Sequence, residues 1–131
     1  MQISKCPLPD VPTNPRTRLI IDEPLWKGYE VLLDVWEDVF VYGILLLPND
    51  LQLGEQLPAV VCQHGLGGRS QDTADPRIES VYHAYAAQLA DREFVVYAPQ
   101  NPYISQDAFR VIQTKGKSGK MVALFVDCPS S

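Results

Sequence analysis

Pro58-Ala59-Val60-Val61-Cys62-Gln63-His64-Gly65-Leu66-Gly67-Gly68 is the stretch whose reading decides the fold. Residues 58–62 form an apolar run without the alternation that a half-exposed strand shows, which fits a strand covered on both faces, as in a parallel sheet. The run breaks at once into His-Gly-x-Gly-Gly, where glycines let the backbone turn sharply and come close to a ligand. Downstream, Asp75-Pro76 reads as a helix N-cap followed by proline at the first helical position. Ile78, Val81, Tyr82, Tyr85, Ala86 and Leu89 then recur at helical spacing. The pattern predicts a helix over residues 76–91, with His83 on its flank, and a further short strand over 94–98 closed by Pro99. Strand, loop, helix and strand fit one right-handed crossover.

Upstream, residues 29–35 alternate with period two and residues 39–47 are rich in β-branched and aromatic side chains, so both read as strands. Trp36-Glu37-Asp38 between them is short enough for a hairpin, which makes the pair antiparallel; Trp26 and Trp36 flank it as packing residues. Pro7, Pro9, Pro12 and Pro15 mark residues 1–28 as an extended proline-rich arm, with regular structure expected from Tyr29 and one domain over 29–131. Beyond Pro99, residues 100–106 read as a loop, 107–113 as one or two helical turns and 121–126 as a brief apolar segment. The fold class expected is α/β: an antiparallel hairpin leading into a mixed, mostly parallel sheet with a crossover helix.

The 131 residues suffice for one domain and one core; 46% are hydrophobic and 21% charged. Sixteen acidic against eleven basic residues give a formal net charge of -5, which argues against nucleic acid, since phosphate binding needs clustered Lys and Arg. Lys115, Lys117 and Lys120 read as a solvated loop. Cys6, Cys62 and Cys128 show no paired spacing, which favours reduced thiols, with pairing of two of the three left open for an oxidising compartment and Cys62 a buried small hydrophobe at a strand end. The proline-rich start has no apolar h-region of a signal peptide, and no apolar stretch approaches the ~20 residues of a membrane helix. No membrane association and a cytoplasmic location are the expectations.

The hairpin, the buried strand ending in His-Gly-x-Gly-Gly, the amphipathic helix and the strand ending in Ala-Pro together resemble the first part of an α/β-hydrolase. Within that superfamily the chain looks most like the esterases related to dienelactone hydrolases and acetyl xylan esterases. Leu57-Pro58-Ala59-Val60-Val61-Cys62-Gln63-His64-Gly65 and Leu89-Ala90-Asp91-Arg92-Glu93-Phe94-Val95-Val96-Tyr97-Ala98-Pro99 carry the resemblance, which covers residues 29–110. It implies an incomplete α/β-hydrolase fold, the N-terminal segment of a serine-dependent carboxylic-ester hydrolase that acts on a small ester without metal or organic cofactor. It also implies that the glycine loop binds the oxyanion of a tetrahedral intermediate. The backbone N–H of Leu66 would be the donor, Gly65, Gly67 and Gly68 would shape the turn, and His64 would brace the loop rather than move protons.

The chain departs from that family in several places. The nucleophile belongs in Gly-x-Ser-x-Gly on a strand-to-helix turn. The nearest approach is Gly116-Lys117-Ser118-Gly119-Lys120, and Ser118 reads as a surface serine. His64 and His83 both precede it, whereas the triad histidine follows its serine in this fold. Glu93 stands where glycine would make an easy left-handed helix end, and Gln100 stands where the family often has aspartate. The expectation is therefore a segment that ends before the nucleophile elbow and has no esterase activity alone.

Other readings of the loop are weaker. A Gly-x-Gly-x-x-Gly dinucleotide fingerprint fails at Ser70, and no acid follows Pro99 to hold a ribose. Cys62 and His64 would need further ligands to bind a metal, and apolar surroundings would not activate Cys62 as a nucleophile. A second class of function is a non-catalytic interaction module derived from a hydrolase fold, engaging a partner or a second copy of itself through an open sheet edge. A third is a truncated product that does not fold stably.

Overall fold

The two β-patterned runs meet as expected, and a third strand precedes them. The computed structural model describes residues 8–65, 67–101, 113–115 and 121–123. Its strands are β1 (Arg16–Asp22), β2 (Trp26–Trp36), β3 (Val39–Pro48), β4 (Ala59–Val61) and β5 (Val95–Pro99), with helices α1 (Ser70–Ala74) and α2 (Tyr85–Ala90) between β4 and β5. β6 (Gln113–Lys115) and β7 (Met121–Ala123) form a separate antiparallel pair.

The five-stranded sheet has the order β1-β2-β3-β5-β4. β1 to β2, β2 to β3 and β3 to β5 are antiparallel, and only β4 to β5 is parallel. The fold is α/β in type, with a mixed sheet and the N-terminal hairpin. The expectation of a mostly parallel sheet is corrected among the described strands. β3 arrives by a hairpin and β5 by a crossover, and β5 inserts between β3 and β4, so its two neighbours run in opposite directions.

Regular structure begins at Arg16 rather than at Tyr29. β1 is an edge strand on which Ile21 alone is buried, so it carries no hydrophobic alternation to read. Its charges instead meet β2: Arg16 pairs with Asp34 at 2.7 Å and Arg18 with Glu30 at 2.6 Å.

One face of the sheet makes the core. Ile21, Gly28, Leu46 and Val96 stand in one row across β1, β2, β3 and β5, and Ile44 faces Ala98 in the next. Ala74, Ala86, Ala87 and Ala90 of the helices pack against this face, all buried. These small side chains let short helices approach the sheet closely, and Trp26 fills the end of the layer. It is fully buried, and its indole N–H donates to Asp91 Oδ1 at 2.9 Å.

The helix expected over residues 76–91 is realised only as α2. Asp75 does not begin a helix; it closes α1, its N–H donating to the Gln71 carbonyl at 2.8 Å. Its carboxylate accepts from the Arg77 backbone N–H at 2.9 Å and from the guanidinium at 2.8 and 2.6 Å. That guanidinium holds the Asp75 carboxyl below the usual carboxylate range. Ser80 Oγ donates to the Asp72 carbonyl at 2.6 Å and accepts from the Tyr82 N–H at 3.2 Å. Such local side-chain bonds compete with helix formation. His83 and Ala84 then take φ 49° and 47°, a left-handed pair through which a right-handed helix cannot run. His83 consequently sits exposed in a turn rather than on a helix flank, and Val81 is 85% exposed.

The C-terminal end of α2 is close to where the pattern puts it. The Phe94 N–H reaches the Leu89 carbonyl at 3.3 Å and the Glu93 N–H reaches the Ala90 carbonyl at 3.0 Å, the two bonds of a Schellman motif. Glu93 occupies its left-handed position at φ 67°. Among the described residues no helix is long and apolar enough to cross a membrane. Cys6, Cys128 and all of the turn expected at 107–113 except Gln113, which opens β6, lie outside the described residues.

A β-carbon in the left-handed region costs about 1 kcal/mol. Glu93→Gly is therefore expected to raise the unfolding free energy by about that amount, less the extra chain entropy that glycine gains on unfolding. The check is urea denaturation: a higher midpoint with an unchanged slope is the expected result, and an unchanged or lower midpoint contradicts the assignment.

Candidate functional site

The glycine loop is built from the end of β4 outward. The Cys62 N–H donates to the Tyr97 carbonyl at 2.8 Å, extending the β4–β5 pairing by one residue and bringing His64 beside the residues that follow β5. His64 is 2% exposed, and both ring nitrogens are engaged. The Asn101 backbone N–H lies 3.0 Å from Nε2, and because an amide N–H can only donate, Nε2 is the unprotonated acceptor. Nδ1 therefore carries the proton and donates to the Gly65 carbonyl at 2.7 Å. This is a neutral imidazole of fixed tautomer, spanning the loop on one side and the end of β5 on the other.

Gln100 and Asn101 complete the clamp. Gln100 Oε1 accepts from both the backbone N–H and the hydroxyl of Ser70 at 3.0 Å, which fixes the orientation of its amide. Its nitrogen is 3.0 Å from His64 Nε2 and 3.3 Å from the Gly68 carbonyl. Asn101 Nδ2 donates to the His64 carbonyl at 3.3 Å, and its Oδ1 accepts from Gln63 Nε2 at 2.8 Å. Ser70, the first residue of α1, is fully buried, so the start of that helix is tied to the loop through one glutamine side chain.

The glycines have distinct reasons. Gly67 takes φ 77°, which favours glycine. A β-carbon on Gly65 would lie 2.9 Å from the Tyr82 hydroxyl, and one on Gly68 would lie 3.1 Å from both that hydroxyl and His64 Nδ1. His64, Gly65, Gly67 and Gly68 are thus brought together, whereas Leu66 lies outside the described residues.

The loop's backbone donors are heavily used. The Gly65 N–H donates to the Tyr82 hydroxyl at 2.7 Å and the Gly68 N–H to the Gly65 carbonyl at 3.1 Å. The Arg69 N–H donates to Asp72 Oδ2 at 3.0 Å, one half of a capping box. Tyr85 donates its hydroxyl to the Gln63 carbonyl at 2.8 Å. Cys62 is buried beneath, and burial pushes its thiol pKa up, which keeps it protonated and unreactive. Among the described residues no group of His, Cys, Asp and Glu could hold a metal ion. Chemically, the arrangement is a glycine loop whose described amides bond within the chain, beside a histidine already committed at both nitrogens.

Ser118 lies outside the described residues, in the segment joining β6 to β7. Those two strands pair antiparallel, whereas a nucleophile elbow leads from a strand into a helix. His83, exposed, lines a shallow depression with Arg77, Glu79 and Asp91.

Comparison with known proteins adds no relative. The chain matches no protein-family model, no curated protein and no solved structure.

Sequence reading missed Gln100, Asn101, Ser70 and Tyr82 as parts of this site. The only signal for Gln100 was its place directly after Ala98-Pro99, and the contacts that give it a role span 30 and 36 residues of sequence. Removing that side chain leaves the Ser70 N–H and hydroxyl buried without an acceptor. Gln100→Ala is therefore expected to cost about 2 kcal/mol in chemical denaturation. A loss within 0.5 kcal/mol, the range of ordinary surface substitutions, would show that Gln100 does not clamp the loop.

Proposed function

We propose that this chain supplies the oxyanion-loop portion of a serine-dependent carboxylic-ester hydrolase of the α/β-hydrolase superfamily, in the group related to dienelactone hydrolases and acetyl xylan esterases. The observation that carries the reading is His64, a buried neutral imidazole whose two nitrogens hold a glycine loop at the end of a parallel strand. Ester hydrolysis passes through a tetrahedral intermediate, and its negative oxygen is stabilised by amides fixed before the reaction begins. A loop clamped at His64, Gln100 and Ser70 meets that need because it does not reorganise as charge develops. In this reading the donor is the Leu66 amide, the substrate is a small ester, no metal or organic cofactor takes part, and the setting is cytoplasmic. No side chain in this sequence takes the role of nucleophile or general base, so these residues alone do not turn over an ester.

A second observation supports a place within a larger α/β layer. Leu19, Tyr29, Leu45, Tyr97 and Val61 form one row across all five strands, on the face opposite the helices. Leu19 is 46% and Val61 67% exposed at the two ends of this row, and Tyr29, Leu45 and Tyr97 between them are half-buried. Sheets of this type bury such a face under further helices. The same row, ending at β4, whose outer edge is unpaired among the described residues, favours the alternative of a non-catalytic module that engages a partner or a second copy.

The test is labelling of the native source by a fluorophosphonate probe with intact-mass analysis. The hydrolase reading expects a labelled species larger than 14.6 kDa whose tryptic digest contains Ser70-Gln71-Asp72-Thr73-Ala74-Asp75-Pro76-Arg77. An unlabelled species of 14.6 kDa would overturn it in favour of the interaction module.

A further inference from the structure

The hydroxyl of Tyr82 occupies the space that the glycine loop leaves open. It accepts the Gly65 N–H at 2.7 Å, and β-carbons on Gly65 or Gly68 would meet it at 2.9 and 3.1 Å. An oxygen seated on a backbone N–H between two glycines is the contact expected of a ligand oxygen in such a loop, and here the chain provides that oxygen itself.

The segment that delivers Tyr82 is not in the conformation its own sequence favours. The apolar positions Ile78, Val81 and Tyr82 continue the helical spacing of Tyr85, Ala86 and Leu89. In the structure the segment is a series of turns instead, held by Asp75 on Arg77 and by Ser80 on the Asp72 carbonyl. It also pays in backbone strain: His83 and Ala84 are consecutive non-glycine residues at positive φ, and left-handed residues of this kind cost about 1 kcal/mol or more each. Val81, one of the helically spaced apolar residues, stands 85% exposed. The turn form carries a backbone strain that a helix through these residues would relieve, and it is the form in which Tyr82 meets the loop.

We infer that Tyr82 is an autoinhibitory occupant of the loop, and that residues 78–84 form a switch whose conversion from turns to helix withdraws it. In the closed form the Gly65 N–H is satisfied internally. In the open form the helix extends α2 toward Asp75, the left-handed pair is relieved, and the Gly65 N–H becomes available to a carbonyl or carboxylate oxygen of a ligand. The inference deepens the hydrolase reading and rests on it for the identity of that ligand, an ester or its acid product. The switch itself rests on the Tyr82 contact and the strained pair.

Two substitutions push the equilibrium in opposite directions. Tyr82→Phe keeps the ring and removes the acceptor, so it favours the open form. His83→Gly, at an exposed position, relieves the left-handed conformation and disfavours helix, so it favours the closed form and serves as a folding-neutral partner variant. The readouts are amide hydrogen exchange at Gly65 and Cα chemical shifts over residues 78–84 in the 131-residue chain. The expected result is a loss of Gly65 protection of about tenfold with helical shifts over 78–84 in Tyr82→Phe, and increased protection in His83→Gly. Unchanged protection in either variant, or lost protection in Tyr82→Phe without helical shifts, overturns the switch. Fluorophosphonate labelling of the native species separates the two readings. Absence of labelling with the exchange response intact removes the hydrolase reading and leaves the switch standing.

Discussion

A backbone N–H can only donate, and that of Asn101 meets Nε2 of His64. Much of the site follows from this one bond. It fixes the imidazole in its Nδ1–H tautomer, which directs the ring's proton to the Gly65 carbonyl and sets the first turn of the glycine loop. With both nitrogens committed in a buried position, His64 holds the geometry of the loop. The bond also requires that the residue after Gln100 lie beside the end of β4. That is possible only because β5 runs parallel to β4 and the Cys62 N–H continues their pairing. Loop and sheet are therefore one construction.

The sheet reflects the same economy. β5 lies between a strand that arrived by hairpin and one reached by crossover, which places Val96 and Ala98 at the centre of the core. The helices meet that centre with alanines, so the backbone of the crossover comes near enough for Tyr82 and Tyr85 to reach the loop. Trp26 closes the layer from the hairpin side and bonds Asp91 at the end of α2. The opposite face, with Leu19, Tyr29, Leu45, Tyr97 and Val61 in register, has no comparable cover among the described residues.

Much of this was legible because it depends on local pattern. The hairpin follows from alternation in β2 and a β-branched, aromatic run in β3 around a short gap, and β4 and β5 from short apolar runs; β4, however, is not covered on both faces, because it ends the described sheet with Ala59 and Val61 exposed. The loop residues His64, Gly65, Gly67 and Gly68 were visible as a motif. What escaped depends on contacts distant in sequence. β1 is held by Arg16 and Arg18 on acids of β2, which leave no hydrophobic period. α1 is only Ser70–Ala74, too short to show one. The predicted helix over residues 76–91 was undone where the Asp75 carboxylate accepts the Arg77 N–H and the Ser80 hydroxyl donates to the Asp72 carbonyl, bonds that outcompete a correct helical stripe. Gln100 and Asn101 read as ordinary loop residues because their partners lie more than 29 positions away.

The most direct test of this account is the protonation pattern of the His64 ring, read by long-range proton–nitrogen correlation in ¹⁵N-labelled protein near neutral pH. The expected result is a single form with the proton on Nδ1 and a bare, hydrogen-bonded Nε2. A proton on Nε2, or a ring averaging between tautomers, would mean that His64 does not anchor the loop to Asn101.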